Sequence, residues 1–402
     1  MQESHTYFTI DGRNVGGWVI LIGLCALVGM GGLAALYMEH NGHWVTGMTN
    51  NVVWGLPHVY ALFLLVAASG ALNIASIGSV FGRDPYKPFG RLSCLLAISL
   101  LAGGLAVLLL DLGRSDRLMV AMTHMNFSSI FAFNIILYTG FFAFVAAYLW
   151  AMMDARLKPF YKPIAVGAFL WRLILTTGSG SVFGFLVSRT AFHTAVLAPT
   201  FIALSLSVGL GCFLVVVLAL EWVAGRPRLS DELRKRVSGL LPTLTAVALY
   251  MVVVLHLTNF YSSERRDVER FLLVDGGVFT AVLWVGFVGL GSLLPIALSL
   301  TLGTRSKPAL FLAAFLVNVG GLCLMYVIIV GGQAFPIEIF PGKAVSSSFF
   351  DGAVNSYSPS LVELLLALGG VGVAGLLLVI GLWALPLLPD LSSTPSSPHA
   401  GE

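Results

Sequence analysis

Ten stretches of this chain are long and apolar enough to cross a bilayer as helices: 15–38, 53–81, 92–112, 127–153, 163–187, 196–223, 238–261, 275–302, 308–331 and 360–386. Each provides the roughly 20 residues that an α-helix needs to span a hydrocarbon core of about 30 Å. Within hydrocarbon every backbone N–H and C=O must find a partner inside the protein, so such stretches form helices. Composition agrees: of 402 residues, 57% are hydrophobic and only 10% charged, against about 25% charged in soluble proteins. A soluble core has no room for that much apolar side chain. The chain is therefore expected to be an all-α, polytopic membrane protein in contact with lipid.

Other function classes drop out quickly. The net charge of +3 is too small to suggest a nucleic-acid partner. The cysteines, at 25, 94, 212 and 323, lie far apart in apolar runs. They show no CxxC or Cys/His spacing for zinc or an iron–sulfur cluster, and read as buried structural residues with no metal site. The polar N-terminus, MQESHTYFTIDGRNVGG, does not resemble a cleaved signal peptide, so the first helix is expected to remain as a span.

Basic residues set the expected orientation. With the N-terminus inside, fourteen Lys and Arg fall on the inner side, from Arg13 to Lys307, against seven on the outer side, from Arg114 to Lys343. Both termini are then cytoplasmic. The outer connections are the longer ones, above all GGQAFPIEIFPGKAVSSSFFDGAVNSYSPS, well beyond the ~12–15 residues at which a structureless loop becomes suspect. Its apolar, proline-bounded part, Phe335–Pro341, suggests a docked partner or a lid over the protein's own helices. The tail LSSTPSSPHAGE has the polar, Ser/Pro-rich composition of disorder.

Ionisable residues at membrane depth are costly and mark candidate sites. His58 opens the second span just after Pro57. Asp111 and Arg114 close the third, one helical turn apart. Consecutive spans run antiparallel, so His58 and Asp111 share one depth on the outer side and suit general acid–base work. In the second span His58, Ser69, Asn73 and Ser76 form one polar stripe about 27 Å long at ~1.5 Å per residue. It reads either as a proton path or as glue between helices, since Ala67, Ala68, Gly70 and Ala71 also invite close packing. Asn134 and Tyr138, at i and i+4 in the fourth span, can hydrogen-bond a small polar head group or simply pack. Arg172, inside the fifth span, must find carbonyls or a carboxylate and reads as a helix lock. His58, His124, His193 and His256 all fall near outer helix ends, with none in the inner leaflet. A membrane-spanning haem b normally takes histidines from both leaflets, so haem b is not expected.

Four segments together carry a resemblance: HWVTGMTNNVVWGLPHVYALFLLVAASGALNIASIGSVFG, RLSCLLAISLLAGGLAVLLLDLGRSDRL, MNFSSIFAFNIILYTG and GGQAFPIEIFPG. They resemble the NrfD/polysulfide reductase membrane-subunit family, and within it the ten-span branch that includes DsrP of the sulfite-reduction-associated DsrMKJOP complex, with the related HmcC-type subunits close as well. The resemblance implies two four-helix bundles plus a terminal helix pair, drawn here as 15–153, 154–302 and 303–386. These lie between a cytoplasmic segment 1–14 and a tail 387–402. It implies a quinone, menaquinone or ubiquinone, in the first bundle near the outer face, held by His58, Asp111 and Tyr138 with Arg114 and Asn134. Ser115 stands where many relatives carry proline after DLGR. The implied partners are an iron–sulfur, ferredoxin-like subunit on the periplasmic side and other membrane and cytochrome subunits. The implied setting is a bacterial inner membrane and sulfur metabolism. A secondary transporter and a membrane anchor without quinone chemistry are the competing readings.

Overall fold

The computed structural model describes residues 7–10, 15–224, 229–303, 305–337 and 352–389. Ten helices within it are long and apolar enough to cross a membrane. They are α1 (Val15–Asn41), α2 (Leu56–Ser79), α3 (Asp84–Leu110), α4 (Ile130–Met153), α5 (Ala155–Gly184), α6 (Leu197–Val223), α7 (Asp231–Tyr261), α8 (Val278–Thr301), α9 (Lys307–Ala334) and α10 (Leu361–Ala384). All ten coincide with the expected spans, and the protein is an all-α polytopic membrane protein. Hydropathy over about 20 residues locates spans well because lipid admits so few alternatives.

Packing groups the helices differently from the divisions drawn on the sequence. Helices α2 to α5 form one bundle and α6 to α9 a second, joined along α2, α6 and α9. The terminal pair is α1 with α10, lying against α3, while α9 packs on α8 and α6. Sequence order misplaced α9 because adjacency along the chain says nothing about which distant helix closes a groove. Glycines decide it: a Cβ on Gly31 of α1 would come within 2.6 Å of the Gly369 Cα in α10, so the two backbones touch. The two bundles meet the same way, since a Cβ on Gly70 would lie 1.6 Å from the Ser205 carbonyl oxygen.

The chain ends meet as well. A two-residue strand, Tyr7–Phe8, pairs antiparallel with Leu388–Pro389. Arg91 sits 3.7 Å above the Tyr7 ring and donates to the Pro386 and Met152 carbonyls. An even number of spans requires the two flanks to lie on one face, and this pairing brings them together. Cys25 is exposed on α1 rather than buried, because among the described residues α1 has α10 as its one major neighbour and turns its other sides outward.

Helix α2 is interrupted at Leu72. The residue keeps right-handed helical dihedrals, φ −65° and ψ −12°, so the interruption is a tightened turn and not an unwound segment. In the second bundle, Phe271–Asp275, Val282–Leu293 and Val327–Gly331 are π-helical, a widened winding that recurs at functional sites.

Candidate functional site

The site begins where α2 starts. Gly55 is the N-cap and Pro57 occupies the first turn, where its missing N–H costs nothing and its fixed φ suits the helix. His58 follows. Helix α3 runs antiparallel beside α2 and ends at Asp111, its C-cap. The two elements bring His58 Nδ1 to 2.5 Å from Asp111 Oδ2, with the Asp111 side chain wholly buried. The contact lacks a hydrogen bond's alignment, and among the described residues neither Asp111 carboxylate oxygen has an aligned donor. A buried carboxylate in that condition keeps its full capacity to accept.

His43 flanks Asp111 from the other side. Its Nε2 lies 3.1 Å from the Asp111 backbone oxygen and 4.0 Å from Oδ1. A carbonyl only accepts, so Nε2 carries the hydrogen. His43 is 31% exposed in its side chain and Asp111 0%, so the imidazole stands between the buried carboxylate and water.

Aromatic rings close over His58. The Trp54 indole lies 6.1 Å from the His58 ring and contacts Phe131 at the start of α4, Phe183 of α5 and Phe192 before α6. One turn beyond Phe131, Asn134 is buried. Its Nδ2 donates to the Ile130 and Gly178 carbonyls, while Oδ1 has no partner among the described residues. Tyr138, one turn further, is half-buried on the same helix.

Other expected residues lie elsewhere. Arg114 does not join Asp111; it is exposed, its guanidinium taken bidentately by Asp116 at 2.9 Å. The Asp116 carboxylate holds the Arg114 pKa above its usual value, and Arg114 holds that of Asp116 below. The capture follows from Ser115–Arg117 forming a 3-10 turn, which lays the i and i+2 side chains together over water. The stripe on α2 is not continuous. Ser69 hydrogen-bonds the Arg172 carbonyl and Thr176 of α5. Ser76 donates to its own helix at Leu72. Asn73 Nδ2 is buried without a partner among the described residues. Arg172 is buried and donates to the Ser69 carbonyl at 3.4 Å.

The segment carrying His43 and Trp54 is clamped by distant residues. Gln333, at the end of α9, accepts from the Val53 and Trp54 N–H groups and donates to the Trp54 carbonyl. Arg189 donates to the Gln333 and Asn51 carbonyls. Glu363, in a capping box with Ser360 at the start of α10, accepts from Gly47 N–H, Ser360 N–H and the Tyr357 hydroxyl. The S-x-x-E pattern of Ser360 and Glu363 was a readable signal for the cap; nothing local marked its reach to Gly47. Of the long loop, Phe335 packs on Phe271 at 5.7 Å, while Ile339, Phe340 and Pro341 lie outside the described residues.

A separate groove of about 580 Å³ runs between α3 and α4, lined by Ile98, Ala146, Leu149 and Trp150. It lies toward the opposite end of α4 from Phe131 and is walled mainly by apolar side chains, with Asp154 as the one titratable residue of its lining.

Residues 44–337 match the family described as Polysulphide reductase, NrfD. The chain is 25% identical over 384 residues to the Hdr-like menaquinol oxidoreductase integral membrane subunit of Archaeoglobus fulgidus, covering 95% of this chain and 96% of that protein. It is 25% identical to a putative dimethyl sulfoxide reductase membrane subunit of Halobacterium salinarum, over 92% of this chain and 91% of that one. With a polysulfide reductase chain of Wolinella succinogenes the identity is 24%, over 71% of this protein and 96% of the relative. The match spans His58 and Asp111, together with Trp54 and eight of the ten membrane helices, α2 to α9, and the chain belongs to the NrfD polysulphide reductase family.

Proposed function

We propose that this protein is the quinone-interacting membrane subunit of a multi-subunit electron-transfer complex, exchanging electrons with an iron–sulfur subunit docked on the face that carries His58. The observation that supports it most is the buried Asp111 carboxylate, flanked by His43 and by His58, whose ring lies 6.1 Å from that of Trp54. Buried acceptors without aligned donors and a cluster of aromatic faces fit a flat, redox-active ring with two polar oxygens. The names of two relatives, a menaquinol oxidoreductase membrane subunit and a polysulfide reductase chain, support a subunit of a reductase complex, and the first of them favours menaquinone over ubiquinone.

Bound quinone supplies two-electron, two-proton chemistry, and the protein supplies the proton traffic. His58 Nδ1 lies against the Asp111 carboxylate, so Nε2 is the atom left to meet a quinone oxygen. Asp111 takes the proton that His58 passes on, and His43 exchanges it with water. Asn134 Oδ1 and Tyr138 complete the polar wall on α4, Arg114 remains at the rim, and Ser69, Asn73 and Ser76 serve as interhelical ties. The proposed setting is a bacterial inner membrane with both termini cytoplasmic, in a complex of sulfur metabolism with further membrane and cytochrome subunits.

The test uses His58→Ala and Asp111→Asn in the intact complex. Each is expected to lower quinone-linked electron transfer by roughly the 10²–10⁴-fold of a lost general acid or base, with the complex still assembled. Wild-type rates in both variants would remove the site.

A further inference from the structure

A second histidine–carboxylate pair lies in the other bundle, and the chemistry above makes no use of it. His256 Nδ1, on α7, is 2.6 Å from Glu269 Oε2. Asn259, one turn along α7, donates from Nδ2 to the other carboxylate oxygen at 2.9 Å. Arg265 donates to Asn259 Oδ1 at 3.2 Å and to the His193 carbonyl. His193 has a φ of +42°, a left-handed conformation uncommon outside glycine. Arg265, Asn259, Glu269 and His256 thus form one fixed polar series running inward from the half-buried arginine.

This series borders a cavity of about 20 Å³. That exceeds the roughly 10–15 Å³ that one water needs, and His256, Asn259 and Glu269 offer the polar partners a buried water requires. A quinone ring cannot enter so small a space. The facing walls are apolar: Ala191 before α6, Leu197 of α6, and Leu324, Val327 and Ile328 of α9. Among the residues lining the cavity, only His256 and Glu269 are titratable, and Arg265 is the charged group linked to them. Leu272, Val327 and Ile328 belong to π-helical segments, so the wider winding shapes this cavity.

We infer that the His256–Glu269 pair is a second proton-holding site, filled and emptied through one cavity water and independent of quinone. Glu269 is 1% exposed in its side chain, and an ionised carboxylate at that burial needs compensation. With His256 neutral, Nδ1–H donates to Glu269 and the Arg265 charge balances the carboxylate through Asn259. Nδ1 is then occupied, and Nε2 carries no hydrogen bond to any described residue. A proton therefore enters at Nε2, passed from hydronium to leave water. The product is an imidazolium held against the carboxylate, with the Nδ1–H bond to Glu269 intact. It leaves by the same atom. A purely structural tie would not need a water-sized cavity beside a group able to change charge.

The test is nitrogen NMR of the full-length protein, histidine-labelled and in lipid, from about pH 5 to about pH 8, the range in which imidazole changes charge. The His256 resonances are assigned by their loss in His256→Gln. The expected result is a ring that passes from one to two protonated nitrogens as pH falls. In Glu269→Gln the second proton would create an uncompensated buried cation, so the ring stays singly protonated throughout. A wild-type ring in one state across the range overturns the inference, as does a Glu269→Gln ring that titrates like wild type. If Glu269→Gln does not accumulate, the wild-type titration decides by itself. The readout involves no quinone, so its outcome stands apart from that of the His58 and Asp111 variants.

Discussion

Gln333, the next-to-last residue of α9, grips Trp54 by its backbone: Oε1 accepts the Trp54 N–H at 3.1 Å and Nε2 donates to the Trp54 carbonyl at 3.0 Å. The second bundle thereby positions an aromatic ring that covers the first bundle's histidine. Removing the amide leaves the Val53 and Trp54 N–H groups unpaired at a cost of about 1–3 kcal/mol each where buried. Gln333→Ala is expected to slow quinone-linked turnover about tenfold, the ratio that 1.4 kcal/mol represents, with KM raised and assembly kept. Gln333→Glu retains the acceptor and should fall between. Steady-state kinetics separating kcat from KM, with Trp54 fluorescence as a monitor of ring mobility, checks both.

The contact between bundles rests on backbone touching backbone. A Cβ on Gly209 would lie 2.1 Å from the Gly70 carbonyl carbon, and neither side has a flexible atom to yield. Gly70→Val is expected to prevent a stable fold, since overpacking costs 1–3 kcal/mol or more even where side chains can shift. Gly23→Ala on α1, with nothing within 4 Å of its Cβ, should be neutral. Thermal unfolding in detergent and the yield of monodisperse protein distinguish the two.

These features show what was legible in the sequence. The spans were, because hydropathy over 20 residues is a local property. So was the meeting of His58 with Asp111, because a short connection makes consecutive helices antiparallel neighbours. The pairing of α1 with α10 was not, since Gly31 and Gly369 become informative only once the partner is known. Gln333 and Glu363 stayed hidden for the same reason: each caps or ends its own helix plausibly, and its long-range partner is backbone, which leaves no trace in residue identity. His43 sat in a polar loop with no periodicity to orient it. Arg114 was misjudged because helical spacing was extended one turn past the end of α3, where the backbone had already turned.

Tyr357 gives a prediction in pH. Burial raises its pKa above the ordinary 10.0, and the hydrogen bond to Glu363 raises it further. The folded state therefore holds this proton more tightly than the unfolded state. Its contribution to stability is complete below the unfolded value near 10 and declines as pH rises beyond it toward the folded value. Tyr357→Phe also removes the acceptor for the Leu56 N–H, so it should lower stability at neutral pH while flattening the alkaline decline. Melting temperatures of both proteins from neutral to strongly alkaline pH supply the comparison.

The paired strands Tyr7–Phe8 and Leu388–Pro389 require both flanks in one compartment. Reporters fused before Met1 and after Glu402 are expected to give the same reading, and from the distribution of basic residues the expected reading is cytoplasmic. Opposite readings would break the count of ten spans; two periplasmic readings would keep the count and invert the orientation.

His43 carries the last prediction. Asp111 has no exposed side-chain surface, and His58 beside it is 21% exposed beneath Trp54. His43, 31% exposed and 4.0 Å from Oδ1, is the more open of the two imidazoles at the carboxylate. If protons from the site leave through it, His43→Gln keeps a donor for the Asp111 carbonyl but cannot carry a proton onward. Turnover should then fall toward the 10²-fold of a lost proton-transfer group, while substrate binding is unchanged. Added imidazole, small enough to occupy the vacated space, should restore part of the rate. His43→Ala should be rescued further by imidazole than His43→Gln, whose amide blocks that space. Turnover in His43→Gln equal to wild type, alongside a collapsed rate in His58→Ala, would send the proton from Asp111 to water by another route.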